Sequence, residues 1–264
     1  MDIFYLKLIL AFTVGALWIT SATVIAERFG TKIGGIITGI PSTIVVSLFF
    51  IGWTQSPQIA STATGIVPAI MGLDALFTAL YIVLSKNKLY VSIGLPLLLW
   101  FVLSYFFVFL KLDNFFLSLT SFAILFIFSY VLLEKMVKVK SQGQRKVTLN
   151  IKQISFRALL SGTIIACAVI MTKAGGPVWG GVFASFPAIM LSTMVITYLA
   201  KGRNFSVAVM KVVMVSGSIN VVIYSTAVRY LYPVFGLIPG TVYSFMISLL
   251  TSYLMYEILK RRMS

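Results

Sequence analysis

Two stretches of sequence decide the fold: GTKIGGIITGIPSTIVVS (residues 30–47) and GGPVWGGVFASFPAIMLST (residues 175–193). An offset of 146 residues aligns them without a gap, and it pairs Gly30 with Gly176, Gly34 with Gly180, Gly35 with Gly181 and Pro41 with Pro187. Both stretches lie in strongly apolar parts of the chain. Because a pattern that recurs at a fixed distance indicates an internal repeat, we predict that the chain contains one unit twice.

The composition indicates a membrane protein. Of its 264 residues, 59% are hydrophobic and 10% are charged, and the mean hydropathy is +1.03. Soluble domains are about 45–50% apolar and about 25% charged, so a soluble core of this size could not bury so much apolar surface. The apolar runs are long enough for membrane helices of about 20 residues and lack the alternation of a membrane β-barrel. We therefore predict an all-α integral membrane protein.

The apolar runs divide into nine predicted transmembrane helices. Their approximate bounds are residues 3–26, 31–54, 58–84, 90–110, 114–133, 156–172, 177–199, 205–228 and 235–258. The first run resembles a signal peptide, but its internal counterpart 146 residues later cannot be cleaved, so we retain it as a span. This division predicts a four-helix repeat at 1–111, a linker helix and basic loop at 112–155, and a second four-helix repeat at 156–264.

The basic residues predict the orientation of the spans. One set of alternate loops holds sixteen lysines and arginines and the other set holds four, while Lys211 lies inside a span. Because basic residues concentrate on the cytoplasmic side, we expect the N-terminus outside and the C-terminus in the cytoplasm, in the plasma membrane. The net charge of +15 then faces anionic lipid, and it requires no nucleic acid as a partner.

The number of spans predicts how the two repeats are related. One unpaired span, at residues 114–133, separates them. An odd number of crossings turns the second repeat upside down, so Pro41 and Pro187 approach the middle of the bilayer from opposite sides. Inverted repeats with interrupted helices are typical of secondary transporters, in which the binding site lies between the repeats.

The repeated glycines and prolines each have two interpretations. Glycines four residues apart let helices approach closely in a membrane, and we predict this packing role for Gly30, Gly34, Gly35, Gly176, Gly180 and Gly181. A proline within a span removes a backbone N–H group and leaves a carbonyl group without its partner. Pro41 and Pro187 therefore either kink their helices or present backbone groups to a bound solute.

Polar residues inside the spans are candidate binding groups. Asp74 is the one acidic residue well inside a predicted span, and the offset of 146 aligns it with Asn220. Because a carboxyl group within a membrane is costly, we expect these two residues to line one central site. The alternative is a structural carboxyl group, protonated or paired. Lys211 either reaches Asp74 or extends its amine to the membrane surface.

Hydroxyl groups surround both prolines. They belong to Ser42, Thr43, Ser47, Ser185, Ser192 and Thr193. Such groups can bind a polar solute, although they often donate to the backbone of their own helix. We include Ser42, Thr43 and Ser185 in the predicted binding site.

The sequence argues against an enzyme. It contains no histidine, one cysteine and one carboxyl group within the spans, which excludes a histidine-based metal site, a Ser–His pair and an aspartyl dyad. The glycine-rich stretches follow predicted helices and lack the lysine and hydroxyl residue that end a phosphate-binding loop. We therefore expect neither catalysis nor a cofactor or metal ion.

Two segments resemble a known family. The core of the GlpM-like family of small four-helix membrane proteins is similar to VWGGVFASFPAIMLSTMVITYLA, residues 178–200, together with the following span to Asn220. The same unit resembles IGGIITGIPSTIVVSLFFIGW, residues 33–53. The resemblance implies two such units fused in one chain with an added helix between them, and it implies little about function.

Three functions are compatible with these patterns. The sequence favours a secondary transporter of a small solute, driven by a proton or sodium gradient through Asp74. The second function is a passive channel or lipid scramblase without a coupling ion. The third is a non-transporting scaffold or assembly factor that acts through the basic loop of residues 134–157. The solute, the direction of transport and the coupling ion stay open, and the pattern also allows an oligomer.

Overall fold

The computed structural model describes residues 3–28, 40–136 and 150–263, and these ranges contain α-helices but no β-strand. The helices are α1 (Ile3–Arg28), α2 (Ser42–Thr54), α3 (Pro57–Ala63), α4 (Val67–Leu84), α5 (Leu89–Phe109), α6 (Phe115–Met136), α7 (Ile151–Gly175), α8 (Pro177–Ala184), α9 (Ala188–Lys201), α10 (Arg203–Phe235) and α11 (Leu237–Met263). The prediction of an all-helical protein is confirmed for these ranges.

Eight helical segments of the described chain are long and apolar enough to cross a membrane. They comprise α1, α4, α5, α6, α7, the pair of α8 and α9, α10 and α11. α2 is apolar but has only 13 residues, and the first part of the predicted second span lies outside the described residues. The structure therefore indicates a multi-pass membrane protein, while the count of nine spans stays a prediction.

The helices form a central and a peripheral set. In α4, 78% of the apolar window is buried, against 17–22% in α1, α5, α6 and α11. α4 packs against α5, α6 and α10, and α10 also packs against α3, α9 and α11. The peripheral helices expose large apolar side chains, among them Leu98, Phe116 and Ile238. An extended apolar surface of this kind is typical of a protein that contacts lipid.

α1 and α7, which occupy the first position of each predicted repeat, run in opposite directions. The ammonium group of Lys173, at the end of α7, lies 3.7 Å from the ring centroid of Phe4, at the start of α1. Near the middle of both helices, Gly15 lies against the side chain of Ile165. The start of one helix therefore meets the end of the other, and the two helices are antiparallel.

α3 and α4 together are antiparallel to α10. At one end of the bundle, Arg203 Nε at the start of α10 donates a hydrogen bond of 3.0 Å to Ser85 Oγ, which directly follows α4. At the other end, Ser61 Oγ in α3 donates to the carbonyl oxygen of Arg229 near the end of α10, at 2.7 Å. The third helical positions of the two predicted repeats thus also run in opposite directions.

The predicted third span, residues 58–84, consists of two helices in the structure. A turn at residues 64–66 separates α3 from α4. Thr64 Oγ1 donates to the carbonyl oxygen of Ser61, and Pro68 has no N–H group to donate to the carbonyl group of Thr64. The prediction of one continuous helix is wrong here, because a local hydrogen bond and a proline replace the helical pattern.

The basic loop after α6 is shorter than predicted. α6 and α7 extend into it from both sides, so Lys152 and Arg157 are helical. α7 begins early because Asn150 and Gln153 form a capping box, in which each side chain accepts a hydrogen bond from the other residue's backbone N–H group. The predicted start of this span at residue 156 is therefore too late.

Candidate functional site

The two repeated prolines form the same turn. Pro41 has φ −78° and ψ 57°, and Pro187 has φ −74° and ψ 45°. In each turn, the residue after proline donates its N–H group to the carbonyl oxygen of the residue before it, as in an inverse γ-turn. The two donor and acceptor pairs are Ser42 with Ile40, at 2.8 Å, and Ala188 with Phe186, at 2.7 Å. Each turn directly precedes a helix, α2 or α9, so helical structure begins anew at matched positions in both halves.

Buried hydroxyl groups without a partner lie beside both turns. The side chains of Thr43, Ser47 and Ser185 are at most 7% exposed, and their oxygen atoms have no hydrogen-bond partner among the described residues. An unsatisfied buried hydroxyl group costs about 1–3 kcal/mol. These three groups are therefore candidates for contact with a solute or with water.

The other predicted hydroxyl groups bind within the protein. Ser42 Oγ donates to the carbonyl oxygen of Ile40, and Ser192 Oγ donates to a carbonyl oxygen of its own helix. Thr193 Oγ1 accepts a hydrogen bond of 3.0 Å from Arg157 Nη2 in α7. Binding of a solute by these groups would require exchange of an existing hydrogen bond.

Asp74 lies in α4, the most buried of the membrane-length helices, and only 1% of its side chain is exposed. Its Oδ1 atom accepts a hydrogen bond of 2.7 Å from the indole N–H group of Trp100 in α5. No lysine or arginine of the described chain forms an ion pair with it. A charged carboxylate here would have one hydrogen bond for compensation, and burial of an unpaired charge is costly. Such surroundings suit a group that binds a proton or another cation.

Trp100 connects Asp74 with the interrupted helix of the second half. Trp100 is 3% exposed, and its ring contacts the ring of Phe186 edge to face, with the centroids 5.2 Å apart. Phe186 lies in the proline turn between α8 and α9. Close by, Thr78 Oγ1 in α4 lies 3.4 Å from Met190 Sδ in α9. Through one indole ring, the carboxyl group of the first half therefore contacts the helix break of the second.

Asn220 occupies the matching position in α10 and is fully buried. Its amide nitrogen donates to Ser252 Oγ, and its Oδ1 atom accepts a hydrogen bond of 3.1 Å from Ser248 Oγ. Both serines belong to α11. In each half, the polar residue of the central helix thus binds to the helix that follows it, and in the second half the group is neutral.

Two gaps are found among the described residues, and neither is lined by the predicted site residues. A gap beside Asp74 has no room for a water molecule and is lined by Leu73, Leu76, Phe77, Leu80, Pro96, Leu99, Trp100 and Leu103. An open groove at one end of the bundle involves other residues. In the described part of the chain, no cluster of three His, Cys, Asp or Glu side chains could hold a metal ion. The shared central site therefore stays a prediction.

Lys211 does not approach Asp74. Its ammonium group forms an ion pair with Glu134 of α6, with 2.7 Å between Nζ and Oε1. Both side chains are partly exposed, at 21% and 45%. Because the ammonium group is already held by Glu134, the alternative in which Lys211 reaches Asp74 does not hold in this structure.

Two of the repeated glycines lie at close contacts between helices. A Cβ atom at Gly180 would collide with the side chain of Thr172 in α7. A Cβ atom at Gly181 would collide with the carbonyl oxygen of Ala63 in α3. These positions have space for glycine only, which agrees with a role in close packing.

Gly176 has a different role from the one predicted. Its φ is 88°, and no atom lies within 4 Å of the position that a Cβ atom would occupy. It ends α7 and precedes α8 in a backbone conformation that favours glycine, so its role is conformational and does not involve packing. The corresponding predictions for Gly30, Gly34 and Gly35 lie outside the described residues.

Sequence analysis did not identify Trp100 and Phe186 as site residues. Two signals pointed to them. A buried indole N–H group usually needs an acceptor, and Trp100 is the only tryptophan in the helix that follows Asp74. Phe186 directly precedes the repeated Pro187. The contact between them depends on how α5 packs against the turn, which periodicity does not reveal.

Comparison with known proteins identifies one family. Its model, described as Protein of unknown function (DUF3147), matches residues 8–112 and again residues 154–261. The two matches begin 146 residues apart, which is the offset of the glycine and proline pattern. No curated protein and no solved structure matches the chain. The two matches are consistent with a duplicated unit.

Proposed function

The chain belongs to the DUF3147 family, whose model matches it in two segments, and from this premise we propose that it is an ion-coupled secondary transporter of a small solute. The solute site lies between two inverted repeats in this proposal. The proposal also includes the resemblance of each repeat to GlpM-like membrane proteins, which was inferred from the sequence.

The antiparallel helices support the inverted arrangement. α1 and α7 stand at the start of the two family matches, and α4 and α10 carry the aligned residues Asp74 and Asn220. Within each of these pairs the helices run in opposite directions. Repeats related by a twofold axis in the membrane plane have this property. α6 lies between the two matched segments and would supply the odd crossing that such an arrangement needs.

One chain of contacts carries the proposal. Asp74 binds Trp100, and Trp100 contacts Phe186 in the turn that separates α8 from α9. In transporters with inverted repeats, interrupted helices lie at the binding site for solute and ion. A movement of this turn would displace Phe186 against Trp100 and so disturb the hydrogen bond to Asp74. Binding of a cation by the carboxyl group of Asp74 and the position of the turn between α8 and α9 would then depend on each other.

Asp74 is the proposed group for the coupling cation, H⁺ or Na⁺. Binding of a cation would neutralise the carboxylate and so lower the cost of closing the site to water. The aligned group of the other half, Asn220, is neutral, so one cation per cycle is expected at this pair. The unpartnered hydroxyl groups of Thr43, Ser47 and Ser185 are the proposed solute contacts, next to the turns at Pro41 and Pro187.

We place the protein in the plasma membrane with its more basic end in the cytoplasm. Among the residues whose side chains are described, this end includes Lys86, Lys88, Lys135, Lys152, Arg157, Lys201 and Arg203. The opposite end holds Lys7, Lys111, Lys173 and Arg229. The bias supports an external N-terminus and contact of the basic end with anionic lipid.

The test of this proposal compares the wild type with Asp74→Asn in proteoliposomes. Currents on a solid-supported membrane are recorded while anionic, cationic, zwitterionic and neutral small solutes are added. We expect at least one solute to evoke a current in the wild type and none to do so in Asp74→Asn. Because asparagine still accepts a hydrogen bond from Trp100, the variant should fold and still exchange labelled solute. Glu257→Gln removes a carboxylate of α11 and serves as the matched control.

The same preparation distinguishes the alternatives. Gradient-driven uptake by Asp74→Asn equal to that of the wild type would contradict the coupling role. If fluorescent lipids cross the bilayer while no solute evokes a current, the protein is a passive scramblase. If neither lipid nor solute crosses, transport is excluded and the scaffold function replaces it.

A further inference from the structure

A polar groove opens at the end of the bundle that holds few basic residues. It has a volume of about 330 Å³ and is lined by Ser61, Thr62, Asp113, Arg229 and Tyr230. The first two residues belong to α3, the last two to the end of α10, and Asp113 to the loop between α5 and α6. The groove thus lies where the two halves of the chain meet the loop that precedes α6, and it contains none of the residues of the proposed transport site.

Two opposite charges line this groove without neutralising each other. Among the described residues, Asp113 and Arg229 form no ion pair. The guanidinium group of Arg229 lies 4.9 Å from the ring centroid of Phe115, and its backbone carbonyl group accepts a hydrogen bond from Ser61. The backbone carbonyl oxygen of Asp113 lies close to Gly65, in the turn between α3 and α4. The contact of the Arg229 guanidinium group with Phe115 does not involve Asp113, and the side chain of Asp113 is exposed. Both charges are therefore accessible to a ligand in the groove.

We propose that the groove binds a small zwitterion, with its cationic group at Asp113 and its anionic group at Arg229. A ligand with a single charge would satisfy only one of the two residues, whereas a zwitterion forms a charge-assisted hydrogen bond with each. Ligand sites usually measure about 300–1,000 Å³, so this groove suits a molecule of amino-acid size. Tyr230, which also lines the groove, is 53% exposed, and an aromatic ring close to an ammonium group attracts it.

The same pair of charges occurs in free zwitterions and in the headgroup of phosphatidylethanolamine. The end of a membrane-spanning bundle can meet either of them. The inference does not depend on the proposed transport, because binding at the groove requires no coupling ion and no movement of the interrupted helix. A binding measurement therefore tests it separately.

The test uses the full-length protein in nanodiscs of phosphatidylglycerol, which has no ammonium group. L-Alanine, γ-aminobutyrate and glycine betaine are titrated by calorimetry, with acetate and methylammonium as probes of a single charge. We expect at least one zwitterion to bind and neither single-charge probe to do so. Asp113→Asn and Arg229→Gln should each weaken this binding by about tenfold or more, since each removes a charged hydrogen-bond partner.

Matched controls and a second lipid complete the experiment. Glu257→Gln removes one negative charge and Lys173→Gln one positive charge outside the groove. Both variants should bind the zwitterion as tightly as the wild type. If binding persists in phosphatidylethanolamine nanodiscs, the occupant is the free zwitterion, and if it disappears there, the lipid headgroup occupies the groove. The proposal is overturned if no zwitterion binds at millimolar concentration in phosphatidylglycerol, or if the groove variants, with unchanged melting temperatures, bind as tightly as the controls.

Discussion

Asp74 and Trp100 are both almost fully buried, and a hydrogen bond of 2.7 Å joins them. Removal of one partner of such a pair leaves a buried polar group unsatisfied and costs about 1–3 kcal/mol, whereas replacement of both by apolar side chains can be nearly neutral. The stability of this region therefore depends on the pair as a unit.

Replacement of Trp100 by phenylalanine should lower the melting temperature of the purified protein. The expected loss is about 1–3 kcal/mol, because the carboxyl group of Asp74 loses its donor while the aromatic packing is largely kept. Asp74→Leu should also destabilise the protein, since it leaves the indole N–H group without an acceptor. The double variant should lose less than the sum of the two single losses.

The control for this double-mutant cycle is Trp18→Phe. Trp18 is 43% exposed and contacts Phe245 edge to face, with 6.2 Å between the ring centroids. Its replacement should have little effect, because no buried polar group loses its partner. Additive effects of the substitutions at Asp74 and Trp100 would show that the hydrogen bond has no net role in stability.

At the scale of helices, the interruptions have two different origins. The turns at Pro41 and Pro187 are local, because proline fixes its own φ and lacks the N–H group that a continuing helix would need. The turn between α3 and α4 is also held by contacts from distant parts of the chain. Gly65 lies against the carbonyl oxygen of Asp113, and Gly181 of α8 lies against the carbonyl oxygen of Ala63.

Gly181→Ala should destabilise the protein by about 1–3 kcal/mol, the usual cost of overpacking. The added methyl group would collide with the backbone of α3, which cannot rotate away as a side chain can. Gly94→Ala is the matched control, because no atom lies within 4 Å of its new methyl group and alanine favours a helix. Thermal unfolding in detergent measures both. Equal melting temperatures for the two variants would exclude a close contact at Gly181.

At the scale of the whole molecule, basic residues lie over aromatic rings at both ends. At the more basic end, Lys88 lies over Tyr90 at 5.9 Å and Lys201 over Phe205 at 5.0 Å. At the end with few basic residues, three of the four cations lie over aromatic rings: Lys7 over Trp53 at 5.0 Å, Lys173 over Phe4 at 3.7 Å, and Arg229 over Phe115 at 4.9 Å. At the other end, Lys211 pairs with Glu134 of the unrepeated helix α6. An exposed ion pair of this kind contributes at most about 1 kcal/mol to stability.

The orientation of the molecule can be tested with single cysteines. The chain has one cysteine, Cys167, so Cys167→Ala provides the background. A cysteine at Ala174, exposed at the end of α7, should react with a membrane-impermeant maleimide in intact cells. A cysteine at Lys88, exposed at the opposite end, should react only after permeabilisation. Reaction of both in intact cells would contradict the proposed topology, because the two positions lie on opposite sides of the membrane in it.

The sequence by itself determined the membrane class, the helical secondary structure, the repeated glycine and proline pattern and the positions of the proline turns. The hydropathy of a segment depends only on its own residues, and proline fixes its own φ angle. These features can therefore be predicted without knowing which residues are close in the folded structure. The candidate site was predictable to the extent that Asp74 and Asn220 align and are buried, since a polar residue in an apolar run can be recognised locally.

The tertiary structure decided which groups these residues meet. Asp74 binds Trp100 and Lys211 binds Glu134, although the sequence allowed a pairing of Asp74 with Lys211. The contact of Trp100 with Phe186 and the burial of Asp74 likewise depend on which helix faces lie together. All helices here present similar apolar surfaces, so hydrophobicity does not select their partners. The pairing of helices depends instead on small residues that allow close approach and on a few hydrogen bonds between helices. Both kinds of contact form between residues far apart in the sequence, so only the packed structure reveals them.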